Sequence, residues 1–174
     1  MIHSAKEIAA RLGENWDDVL SHVSQLDDAA FIRAPEGKWT PGQHVKHLFS
    51  AAEPVRKGLG YPKFVLRLMV GKPNRPGRDF ETVYNRYKEK LAQGGTASSP
   101  FSPAAVPAIT KGATLEAYAN EKDKMIRALL RWSEKALDNY LMPHPLLGKI
   151  TIREMMFFTT FHTQHHLNIL RNYA

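Results

Sequence analysis

Three capping boxes, each opening a long run of helically spaced apolar residues, constrain this chain more than any other feature. Ser4-Ala5-Lys6-Glu7 precedes Ile8, Leu12, Trp16, Val19, Leu20 and Val23. Thr40-Pro41-Gly42-Gln43 precedes Val45, Leu48, Phe49 and Ala52, and places Pro at the first helical position. Thr151-Ile152-Arg153-Glu154 heads the last run. In such a box the Ser or Thr accepts from the N3 backbone while the N3 side chain reaches back, satisfying two donors that a helix start leaves orphaned. The spacing predicts helices over about residues 4–25, 41–60 and 151–172. A further helix, from about Thr114 to Leu137, turns Tyr118, Met125, Ile126, Leu129 and Leu130 inward, and Met142-Pro143-His144-Pro145 stops it.

Four long amphipathic helices without a strand alternation predict an all-α four-helix bundle, a single domain over residues 1–174. Between the second and third helices lies the least regular part. Phe64–Val70 is an apolar run of either helix or strand, Gly71 to Arg78 is loop, and Asp79 caps a short helix bearing Phe80, Val83, Tyr84, Tyr87 and Leu91. Gly94 to Pro107, rich in Gly, Ser, Ala and Pro, reads as a long connection, so the topology need not be simple up-down-up-down. No stretch of about 18 apolar residues occurs, which excludes a membrane span. Met1-Ile2-His3-Ser4 turns polar at once, without the apolar centre of a signal peptide, so the expected location is the cytoplasm.

The net charge of +7 is concentrated. Residues 56–90 hold ten basic and three acidic side chains, and the rest of the chain is neutral. Such a segment attracts acidic small molecules or nucleic acid, although Arg-aromatic interleaving and any nucleic-acid motif are missing. Within it, Lys72, Arg75 and Arg78 are the residues expected to bind the carboxylates of an anionic substrate.

The candidate chemistry sits near the end of the last helix. His162 and His166 are four apart, so their imidazoles project from one face, about 40° apart on a helical wheel, among Met155, Phe158 and Ile169. His165 points about 60° to the other side of His162. Two neutral imidazoles so placed can share one metal ion if a third ligand comes from elsewhere. The chain has no cysteine, so that ligand must be His, Asp or Glu, a donor set open to zinc, nickel, iron or manganese alike. His44, His47 and His144 are the candidates. On the second helix's wheel His44 lies nearer the apolar centre and His47 to one side, and geometry alone leaves both open. Glu53 reads as helix surface rather than a general base. Trp16, Trp39 and Trp132 read as packing, and no phosphate-binding glycine loop is present.

The segments Trp39-Thr40-Pro41-Gly42-Gln43-His44-Val45-Lys46-His47-Leu48 and Phe157-Phe158-Thr159-Thr160-Phe161-His162-Thr163-Gln164-His165-His166-Leu167 together resemble the DinB-like superfamily of metal-binding bundles. Gly71-Lys72-Pro73-Asn74-Arg75 and His144-Pro145-Leu146-Leu147-Gly148-Lys149 resemble a subgroup of it. The resemblance implies a divalent metal site on His47, His162 and His166. His44 and Asn168 are then expected to stand behind the ligands, and His165 to do the same, to be a ligand itself, or to sit at the rim. Near Asn168 the family often carries the longer Gln, a difference that bears on metal choice or substrate orientation. It further implies a small-molecule substrate, either one hydrolysed by a metal-activated water or a low-molecular-weight thiol transferred to an electrophile, and a homodimer. The alternatives are a non-catalytic stress-response or binding module using the basic 56–90 segment, and a metal-free structural bundle.

Overall fold

The computed structural model describes residues 3–96 and 101–173. Four long helices form the bundle: α1 (Ala5–Ser24), α3 (Pro41–Leu59), α6 (Lys111–Leu129) and α8 (Ile152–Arg171). Shorter helices α2 (Asp28–Ile32), α4 (Lys63–Val70), α5 (Phe80–Ala92) and α7 (Glu134–Asn139) fill the connections, and a 3₁₀ turn at Ala108–Thr110 leads into α6. All three capping boxes form, with Ser4, Thr40 and Thr151 each accepting from the N3 backbone and Glu7, Gln43 and Glu154 each reaching back.

Around the core α3 packs on α6, α6 on α1, α1 on α8, and α8 back on α3 along the slimmest of the four seams. Sequence neighbours α1 and α3 thus face each other across the bundle, as do α6 and α8. α5 covers a further side of α8. This leaves α8 enclosed for most of its length: Met155, Met156, Phe157, Phe158, Phe161, Leu167 and Leu170 are all buried. Each such side chain withdrawn from water contributes on the order of 1.5–3 kcal/mol, so the helix with the histidines is also the one that the core holds most firmly. At the start of α3 the approach is close. A Cβ on Gly42 would lie 2.7 Å from the ring of buried Phe31, so only glycine lets α2 press against this turn.

Two expectations need correction. The third long helix begins at Lys111 and ends at Leu129, because Ser133 caps the separate helix α7 by accepting from the Ala136 backbone. The segment read as a helix stop is a hairpin, β1 (Leu141–His144) against β2 (Gly148–Thr151), antiparallel with His144 opposite Gly148. Four residues per strand are too few for alternation to register. The exposed Pro143 sits in a two-stranded ribbon, where one missing N–H is tolerated. The fold remains all-α apart from this hairpin. Phe64–Val70 resolves as helix, Asp79 caps α5 as expected, and the connection at 94–107 is irregular where described. Its residues 97–100 lie outside the described range. Among the described residues no helix is long and apolar enough to cross a membrane.

Candidate metal centre

The slim α3–α8 seam holds a cluster of imidazoles. His47 on α3 and His162 and His166 on α8 are all buried, and one ring nitrogen of each lies within 4.8 Å of the others. His162 Nε2 is 3.1 Å from His47 Nε2 and 3.1 Å from His166 Nε2. A tetrahedral ion held at ~2.05 Å from each nitrogen would space them about 3.3 Å apart, so the cluster has the dimensions of three corners of a metal site.

Each ring is braced. His47 Nδ1 donates to the Phe101 carbonyl at 2.7 Å, which leaves its Nε2 lone pair facing the cluster. Gln43, one turn earlier, donates to the Pro103 carbonyl, so α3 grips the connection twice. His162 stacks on Phe158 with ring centres 4.8 Å apart, and Trp39 lies parallel to His166 at 6.1 Å and close to His47 at 4.9 Å. Behind His166, His44 Nδ1 stands 2.8 Å from His166 Nδ1, and its Nε2 stands 2.9 Å from the Tyr173 hydroxyl. Burial pushes His44 down to about 4 and also lowers His47, where the Phe101 carbonyl opposes it; His162 and His166 are held well below 6.5, first by burial and then, for His162, by His47 and, for His166, by His162. All four are neutral at pH 7, the form that donates to metals.

Of the three candidates for the third position, the structure brings in His47. His44 stands behind His166, where it was expected. His144 is elsewhere, its Nδ1 accepting from the Leu146 and Leu147 backbone at 3.1 Å each inside the hairpin turn. Asn168 is turned away from the ligands, while His165 borders them from outside, its ring meeting that of His166 edge-on at 5.2 Å. Both are exposed on the outer face of α8, in a groove of about 510 Å³ between α1 and α5 that Tyr84, Lys88 and Phe161 also line. Asn168 accepts from Gln164 there. Half a helical turn separates α8's inner and outer faces, and the wheel's 60° offset of His165 was enough to put it outside.

The Lys72, Arg75 and Arg78 loop is also apart from the imidazoles, at the opposite end of α8. Arg75 makes a two-pronged pair with Glu154 at 2.7 and 2.8 Å, and the Arg78 backbone donates to the same carboxylate at 2.8 Å. Arg75 therefore has no free fork for a substrate carboxylate. Glu53 pairs with Lys57 on the surface of α3. Sequence reasoning missed Trp39 as a cover for the ligands and Tyr173 as the partner of His44; neither belongs to an apolar repeat that would have pointed inward.

The family model described as the DinB superfamily matches residues 11–170. No curated protein matches the chain.

Proposed function

The chain belongs to the DinB superfamily, and from that premise we propose that it is a metal-dependent enzyme of small-molecule chemistry with one divalent ion on His47, His162 and His166. The observation that carries the reading is the convergence of three buried, neutral ring nitrogens on one point. An ion bound there supplies Lewis acidity that lowers the pKa of a water or a thiol. The chain's part is to hold the donors: the Phe101 carbonyl fixes His47, while Trp39 and Phe158 shield the rings from bulk water. The two reaction classes are hydrolysis and transfer of a low-molecular-weight thiol to an electrophile. With no cysteine among its donors, the site accepts zinc, nickel, iron or manganese.

Metal analysis of protein purified without chelator tests this directly. One equivalent of a divalent ion in the native chain and none in His166→Ala is expected; a native chain that takes up no ion removes the basis of the enzyme reading. The loaded protein, assayed in parallel on hydrolysable esters and amides and on a thiol with an electrophile, then separates the two classes.

The non-catalytic alternative has less behind it. In the 56–90 segment Arg56 pairs with Glu121, Lys57 with Glu53 and Arg75 with Glu154, so part of the positive charge is already used internally. A homodimer and a cytoplasmic location complete the proposal. The surface to test for pairing is α4, where Phe64, Leu68 and Met69 are 72%, 85% and 68% exposed.

A further inference from the structure

The hydrogen-bond partners around the imidazoles determine where their protons are. His47 Nδ1 faces a carbonyl, which only accepts, so its single proton is there and its Nε2 is bare. His162 Nε2 lies 3.1 Å from that bare nitrogen and equally far from His166 Nε2. If His162 Nε2 were bare, two lone pairs would face each other across 3.1 Å. A proton on His162 Nε2 removes that conflict. His166 Nε2 must then also be bare, since two N–H groups would otherwise collide. His166 therefore carries its proton on Nδ1 and donates to His44 Nδ1, and His44 in turn carries its proton on Nε2 and donates to the Tyr173 oxygen. The reverse chain, with Tyr173 donating inward, ends with a proton on His166 Nε2 and restores one of the two conflicts.

We propose that Tyr173, acting through His44, fixes His166 as the Nδ1–H tautomer and so aims a bare Nε2 at the metal position before any ion arrives. Tyr173 is a positioning residue held just beyond α8, its backbone donating to Leu170 and its ring meeting His44 edge-on at 5.7 Å. Two of the three donors are then ready, His47 through Phe101 and His166 through His44 and Tyr173. Only the His162 proton has to move, from Nε2 to Nδ1, for an ion to enter. The effect on metal affinity rests on the metal site proposed above, whereas the proton arrangement does not.

The test has two arms, on the full chain. In the metal-free protein, long-range proton–nitrogen correlation spectra of the imidazoles should show Nδ1–H for His47 and His166 and Nε2–H for His44 and His162. An Nε2–H tautomer at His166 overturns the proposal. In the second arm, competition titration with zinc should show His44→Leu about ten- to a hundredfold weaker than the native chain. His44→Gln, whose amide oxygen can still accept from His166, should recover much of that loss. Tyr173→Phe, at the partly exposed end of the chain of bonds and so safe for folding, should weaken zinc binding by a smaller factor and mix the His44 tautomers. Native zinc affinity in both His44→Leu and Tyr173→Phe overturns the proposal. A native chain with the stated tautomers but no zinc uptake supports the proton arrangement and overturns the metal site instead.

Discussion

The two ends of α8 both bury polar side chains, and they solve the problem in opposite ways. At the N-terminal end Glu154, fully buried, is closed off: Arg75 supplies two N–H groups and the Thr151 and Arg78 backbones two more. Burial alone would raise its pKa, but these donors overcome it and hold the carboxylate ionised. At the other end three Nε2 atoms converge with two lone pairs and a single proton among them. One cluster is complete and ties the loop at 71–78 to the bundle. The other has the spacing to hold a cation. Burial of polar groups is therefore common to both, and what separates structure from site is whether the charges and lone pairs are already spent.

Breaking the closed end should have the larger effect. Arg75→Ala leaves buried Glu154 without its two-pronged partner and with only the Arg78 guanidinium at 3.8 Å, and removing one partner of a buried pair costs roughly 3–5 kcal/mol. Urea denaturation should show a loss of that size, with zinc affinity per folded molecule unchanged. A loss under ~1 kcal/mol would mean that Glu154 is not closed by Arg75.

The buried histidines and Glu154 should also fail at different pH. A histidine held below its ordinary 6.5 binds a proton more readily unfolded, so its contribution is complete above pH 6.5 and is lost as pH falls toward its folded value. His144, pushed to about 4 by burial, alone accounts for about 3 kcal/mol over that interval. Glu154 is lowered from 4.5, so its contribution is present above that value and is lost only as pH falls through its folded pKa. Denaturation followed from pH 7 to 4 should therefore report histidines. His144→Asn, which keeps an acceptor for the Leu146 and Leu147 backbones, should make that slope shallower by one proton; an unaltered slope refutes the assignment.

Filling the open end should stabilise. Zinc at a hundred times its dissociation constant adds about 2.7 kcal/mol, which for a domain of this size raises Tm by about 5–10 °C. His47→Ala and His166→Ala should show no such rise. Arg75→Ala, destabilised as it is, should show it in full.

How much of this was legible in the sequence follows from the range of the interactions. The capping boxes at Ser4, Thr40 and Thr151 are local and marked three of the four long helices to within a residue or two. The i, i+4 pair His162 and His166 is local as well. The choice of His47 over His44 depended on how far α3 is rotated about its axis at the seam, which the wheel placed too coarsely and the family resemblance supplied. The α7 start at Ser133 and the hairpin were hidden because each element is too short to show a period. The Arg75–Glu154 pair, 79 residues apart, and the Tyr173–His44 contact, 129 apart, leave no local trace. Arg75 accordingly looked available for a ligand when it was already committed within the chain.

The smallest expected effect bears on whether the two ends communicate. Thr151 caps α8 by accepting from the Glu154 backbone at 3.1 Å, and its own backbone N–H donates to the Glu154 carboxylate at 2.9 Å. Thr151→Ala removes the first bond and keeps the second, so Arg75 and both backbone donors still hold Glu154. The loss should be that of an N-cap, about 1 kcal/mol, and Thr151→Ser should restore it. From Glu154 to His162 the helix rises roughly 12 Å, and the intervening turns are clamped by buried Phe157 and Phe158. Fraying at Thr151 should stop there, leaving zinc affinity and the His166 tautomer unchanged. A change in either would show that α8 transmits strain from one end to the other, and that the closed cluster helps to position the open one.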